Sequence, residues 1–184
     1  MSNHQLIKFC SPTLAGIKIS NLFSHKFNSI SELSSSIKSL NGLLNQKGVY
    51  VVLLRINLKN KTALVLVYRK EWLCEMLNSS RIQNFLKRFG YDNFELSVCL
   101  QKLRGNLKSS DFPHEIGVFL GYPLADIISF INNKGCNFKC VGCWKVYHNL
   151  DKALATFDKY AKCQEIYMQK LINGEDIFSL TVAC

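Results

Sequence analysis

The clearest pattern in the chain begins at Ser29. Ser29 and Glu32 have capping-box spacing, and Ile30, Leu33, Ile37, Leu40 and Leu44 then recur at three- and four-residue steps. That predicts an amphipathic helix ending at Gly48. Residues 49–56 and 62–68 are rich in β-branched and aromatic side chains and are joined by a polar turn, so they predict a hairpin. Both runs are nearly continuous in apolar residues, the pattern of strands covered on two faces. Helical spacing returns at 70–77, at 81–89 with Gly90 as its stop, and from Asn93 through Leu107. Pro113 and Pro123 open two short helices, 114–120 and 124–133. Residues 143–147 predict a last strand. Asp151 then caps a long helix carrying Leu154, Phe157, Tyr160, Ile166 and Leu171.

Residues 6–28 are different. Ser11-Pro12 reads as the start of a helix carrying Leu14, Ile17 and Leu22, or as a turn between short strands, and the pattern does not choose. The chain has no internal repeat, low-complexity tract or alternating βαβ series. The expected fold is a single α+β domain over 1–184, a small mainly antiparallel sheet with a central hairpin packed by several helices.

Composition narrows the class. The chain has 184 residues, 48% hydrophobic and 20% charged, enough for one core. No apolar run is long enough to span a bilayer. The first ten residues lack the apolar centre of a secretory signal, so the cytoplasm is the expected location. Net charge is +10 and unevenly placed. Residues 1–70 hold ten Lys/Arg against Glu32 alone, whereas the rest is nearly balanced. Such asymmetry suits an acidic partner, such as an acidic electron carrier protein, and less well a nucleic acid. The bland alternative is a solvated Lys-rich surface.

Three blocks occur in order, CSPTLAGIKISNLF at 10–23, FPHEIGVFLGYPLADI at 112–127 and KGCNFKCVGCWKVY at 134–147, with SLTVA closing the chain. Together they resemble a family of small proteins from anaerobic bacteria classed as a domain of unknown function. The resemblance implies a cytoplasmic protein of an anaerobe and transfers no catalytic residue.

Eight cysteines are many for a chain expected in a reducing compartment. Cys74 and Cys99 lie in apolar helical patterns and read as core. Cys136, Cys140 and Cys143 have C-x3-C-x2-C spacing, which suits a soft metal, and Cys163, His148 or His114 is the candidate fourth ligand. Zinc and an iron–sulfur cluster are the candidate cofactors, a redox thiol pair is a third reading, and plain thiols are the bland one. A cluster-dependent radical enzyme needs a large barrel, and only 41 residues follow Cys143.

Gly117, Gly121 and Ile127 have the spacing of a helix-turn-helix within 114–133. The would-be recognition helix presents Asp126, Ser129, Asn132 and Asn133 and has no cation before Lys134, so a packed helical corner is the better reading. His114-Glu115 is the best acid–base pair, with capping or packing as its alternative. No phosphate-binding glycine loop or nucleophile elbow is present. The functional expectation is a non-enzymatic accessory or regulatory protein. Its candidate surface is Cys10, Ser11, Lys18, His114, Glu115 and Trp144, Lys18 being read on its own as a surface lysine.

Overall fold

The computed structural model describes residues 1–108 and 112–183. At the centre lies the expected hairpin, β2 (Val49–Asn57) and β3 (Thr62–Arg69), joined by a third strand, β1 (Ser20–Lys26). The sheet is antiparallel, in the order β1-β3-β2. β3 is therefore flanked on both sides, and its alternate residues feed two separate cores. Leu66 and Tyr68 face one, Ala63, Val65 and Val67 the other. This is why the strand reads as an unbroken apolar run.

One face is covered by α1 (Asn3–Leu14), α2 (Ile30–Leu44) and the C-terminal residues Ile177 and Leu180. The Ser29 hydroxyl accepts the Glu32 amide at 3.1 Å, as the capping spacing predicts. The opposite face is covered by α3 (Lys70–Leu77), α4 (Ser80–Lys87), α5 (Leu96–Asn106), α6 (Ile116–Phe119) and α7 (Leu124–Asn132). A small hairpin, β4 (Cys140–Val141) and β5 (Lys145–Val146), follows α7 and is not part of the main sheet. The predicted last strand is thus the second arm of this hairpin. The chain closes with α8 (Leu150–Ile172), which packs along α1. No helix among the described residues is long and apolar enough to cross a membrane.

Two stretches left open in the sequence are settled here, and one expectation needs correction. Ser11-Pro12 ends a helix instead of starting one; α1 is capped by Ser2, whose hydroxyl accepts the Gln5 amide. The strand β1 was hidden because its Ser-Asn-Leu-Phe-Ser-His-Lys sequence shows little alternation, yet it pairs with β3 along its whole length. On α8 the packed face is Ala153, Phe157, Tyr160, Cys163 and Tyr167, while Leu154 and Ile166 are exposed. Phe157 and Tyr160 belong to the packed face as expected, and steps of four, three, three and four link Ala153, Phe157, Tyr160, Cys163 and Tyr167, whereas Leu154 and Ile166 fall off the stripe that faces inward.

Candidate functional site

The α6–α7 corner, the β4–β5 hairpin and the middle of α8 meet around Trp144. The corner turns at Gly121, whose φ of +72° is open to glycine, and a Cβ there would come within 2.4 Å of Ile19. That close approach brings Tyr122 beside the chain leaving α1. Trp144 packs its ring between Tyr122 at 5.3 Å and Phe157 at 4.6 Å. Gly142 permits this contact, because a Cβ would lie 2.3 Å from the Phe157 ring.

Asp126 fixes the hairpin. It is 3% exposed, and its carboxylate accepts the Trp144 indole N–H at 2.7 Å and the amides of Tyr147 and His148 at 3.0 and 2.9 Å. The expectation that Asp126 faces outward on α7 is therefore wrong. Ser129 is also engaged, with His148 Nε2 at 2.9 Å. An aspartate in the first turn of a helix looks the same in sequence whether it stabilises the helix dipole or anchors another element.

Lys18 departs furthest from the surface lysine expected of it. It is 7% exposed; its ammonium donates to the Ser20 carbonyl at 2.7 Å and sits over the rings of Tyr122 and Tyr160 at 5.7 and 6.0 Å. Among the described residues no carboxylate pairs with it. Burial holds its pKa down to about 8, against the opposing pull of the Cys143 and Cys10 thiols. Burial likewise raises Cys143, with Lys18 opposing.

The candidate surface residues divide by burial. Cys10 and Ser11 are fully buried in α1, and the Ser11 hydroxyl donates to the Ile7 carbonyl. Glu115 is buried and accepts from Asn106 Nδ2 at 2.7 Å and the Tyr91 hydroxyl at 3.4 Å. It braces α5 against α6 and is turned away from solvent. His114 is exposed, its ring edge-on to Phe130 at 5.0 Å, and Trp144 is half-buried. Only these two belong to an accessible surface.

Of the candidate ligands, Cys136 and Cys143 are exposed, Cys140 is half-buried, and Cys163 is buried in α8. Among the described residues no three His, Cys, Asp or Glu side chains are grouped so that they could hold a metal ion. Cys140 and Cys143 belong to the tight hairpin, whose turn closes by the Gly142 amide donating to the Trp144 carbonyl at 3.1 Å, and Cys136 lies in the turn that follows α7, its amide donating to the Asn133 carbonyl at 2.9 Å.

What the corner and the hairpin do enclose, with Phe112 from the segment before α6, is a cleft of about 190 Å³, walled chiefly by Phe112, Tyr122, Ile127, Phe130 and Trp144. Lys145 stands at its edge over the Phe138 and Phe130 rings, at 4.7 and 5.6 Å, and donates to the Gly135 carbonyl at 2.7 Å. Of this lining, sequence reasoning named Trp144 and His114 as candidate surface and Ile127 only for the helix-turn-helix spacing. The aromatic character of the walls was visible, but not their convergence, which depends on the corner and the hairpin folding over each other.

Residues 6–181 match the family described as protein of unknown function (DUF3793). No curated protein and no solved structure matches the chain.

Proposed function

The chain belongs to DUF3793, and from that premise we infer that it is an accessory protein whose β4–β5 side docks onto a small acidic partner protein. The observation that supports this reading is a run of exposed apolar side chains set among cations. Phe112, Phe138 and Val141 are 50%, 40% and 58% exposed. Val141 lies opposite Lys145 in the hairpin register, and the Lys145 ammonium covers Phe138. Residues 127–150 contain Lys134, Lys139 and Lys145 and no acid. Isolated exposed apolar residues mean little, but a group of them ringed by one sign of charge has the make-up of a transient docking patch.

This placement adds a second basic region to that of residues 1–70, of whose ten cations eight are not buried. Lys18 and Arg69, two of the ten cations of residues 1–70, are buried and cannot meet a partner. The hairpin lysines are exposed or at the cleft edge.

The test is titration against a small acidic electron carrier at about 20 and about 150 mM salt. Binding in the micromolar range that weakens at least tenfold at the higher salt, and is lost in Lys134→Glu/Lys139→Glu, supports the reading. No binding at low salt, or binding indifferent to the double charge reversal, overturns it.

A further inference from the structure

The cleft beside that patch has a chemistry of its own, which does not depend on any protein partner. Its walls are aromatic side chains from three places in the chain: Tyr122 from the corner, Phe130 from α7 and Trp144 from the hairpin. At about 190 Å³ it is somewhat larger than the roughly 150 Å³ apolar cavity that accommodates one benzene molecule. It therefore fits a single substituted ring, not an extended cofactor.

The polar groups around it are few and unequal. Asp126 is the one carboxylate among the described residues that line it, and that group already accepts three hydrogen bonds from the hairpin. Those donors disperse its charge, and it has little left to offer a cationic guest. The indole N–H of Trp144 is committed to the same carboxylate, so the indole has no donor left for a guest. Lys145 is the reverse case. Among the described residues its hydrogen bond goes to the Gly135 carbonyl, which leaves ammonium donors over at the cleft edge. The Phe130 and Phe138 rings hold the ammonium there. An aromatic slot with a fixed cation at its edge is complementary to a flat ring carrying a negative group.

We propose that the cleft between α6–α7 and the β4–β5 hairpin is a binding site for a small aromatic carboxylate, its ring against Tyr122, Phe130 and Trp144 and its carboxylate on the Lys145 ammonium. Ring stacking supplies most of the attraction, and Lys145 sets the preference for an anion. His114, exposed and edge-on to Phe130, stands at the same opening.

The probe is phenylacetate, added to the full chain alone and followed through the Trp144 indole N–H resonance. A ligand with about ten non-hydrogen atoms should bind with a dissociation constant on the order of 10⁻⁴ M. Benzyl alcohol, which keeps the ring and lacks the charge, should bind at least tenfold more weakly, as should choline, a cation suited to an aromatic cage. Lys145→Met keeps the stem over the rings and should weaken phenylacetate at least tenfold, and Phe130→Leu should weaken it severalfold. Unchanged thermal unfolding of both variants shows that the fold is intact. If Phe130→Leu unfolds, Lys145→Met together with the ligand series decides alone.

The proposal is overturned if millimolar phenylacetate leaves the indole resonance unmoved. It is also overturned if benzyl alcohol or choline binds as well as phenylacetate, or if Lys145→Met binds it unchanged. Neither the probe nor the readout involves Lys134, Lys139 or a partner protein, so this result and that of the docking titration stand separately.

Discussion

Replacing Arg69 with methionine tests the tightest polar junction of the fold. Arg69 is the last residue of β3 and is fully buried. Its guanidinium donates to the Thr13 carbonyl at 2.7 Å, to Leu14 at 2.8 Å and to Val182 at 2.9 Å. Its plane lies over Trp72 at 5.3 Å. One side chain thus ties the central strand to the last turn of α1 and to the C-terminal tail. The last carbonyls of a helix lack partners within the helix and carry its partial negative charge, so a cation there does double service.

Methionine keeps the length and the apolar stem and removes every donor. The Thr13 and Leu14 carbonyls each keep one backbone partner, the Gly16 amide at 3.2 Å and the Val182 amide at 2.9 Å, so the change removes three hydrogen bonds worth about 1 kcal/mol each and orphans neither of these two carbonyls. The lost charge at the helix end adds about 1 kcal/mol. The expected loss is roughly 4 kcal/mol, or about 8–16 °C in unfolding midpoint for a chain of this size. Arg69→Lys should fall in between, because a point ammonium cannot span carbonyls on two segments.

Urea denaturation gives the magnitude, and amide exchange shows where the structure opens. The Val182 amide donates to the Leu14 carbonyl at 2.9 Å, so the tail should lose protection together with the end of α1. A loss below about 1 kcal/mol, or a tail that stays protected in a destabilised Arg69→Met protein, would refute the reasoning.

Three further outcomes follow from single contacts. Asp126→Asn places an amide N–H₂ against either the indole N–H or the two backbone amides it faces, and should cost about 2–3 kcal/mol; Trp144→Phe in that background should recover part of it, and additive losses would contradict the donor conflict. Gly142→Ala should cost about 1–3 kcal/mol through its clash with Phe157, so the same change made in a Phe157→Ala protein should cost almost nothing. Lys18 titrates near pH 8 in the folded protein, well below its unfolded value, so the unfolded chain holds more protons above that point and stability should rise with pH. The gain should be about 1 kcal/mol between pH 8 and 9 and absent from Lys18→Met. Measured as the difference between the two proteins, it excludes the thiols, whose raised pKa values act in the opposite direction above pH 9. A difference that stays constant with pH removes the buried amine from the account.

Local pattern alone determined the α+β class, the central hairpin, the capping box at Ser29 and the approximate extents of most helices. These depend on short-range periodicity and on caps that contact the chain three residues away, both written in consecutive residues. The same sequence could not place its decisive polar groups. Lys18, Arg69, Glu115 and Asp126 resemble surface charges or first-turn acids, and their burial is decided by partners distant in the chain. Arg69 meets carbonyls 56 and 113 positions away, and Asp126 reaches amides 21 and 22 positions on. β1 was equally hidden, since its pairing comes from β3 and not from its own alternation. The cysteine spacing left metal, redox-thiol and plain-thiol readings open, because sequence records separation along the chain, whereas a ligand shell needs convergence in space. Only the tertiary structure set Trp144 and Lys145 on an aromatic cleft, because its walls come from the α6–α7 corner and the β4–β5 hairpin, which the buried Asp126 carboxylate holds together across about twenty residues of chain.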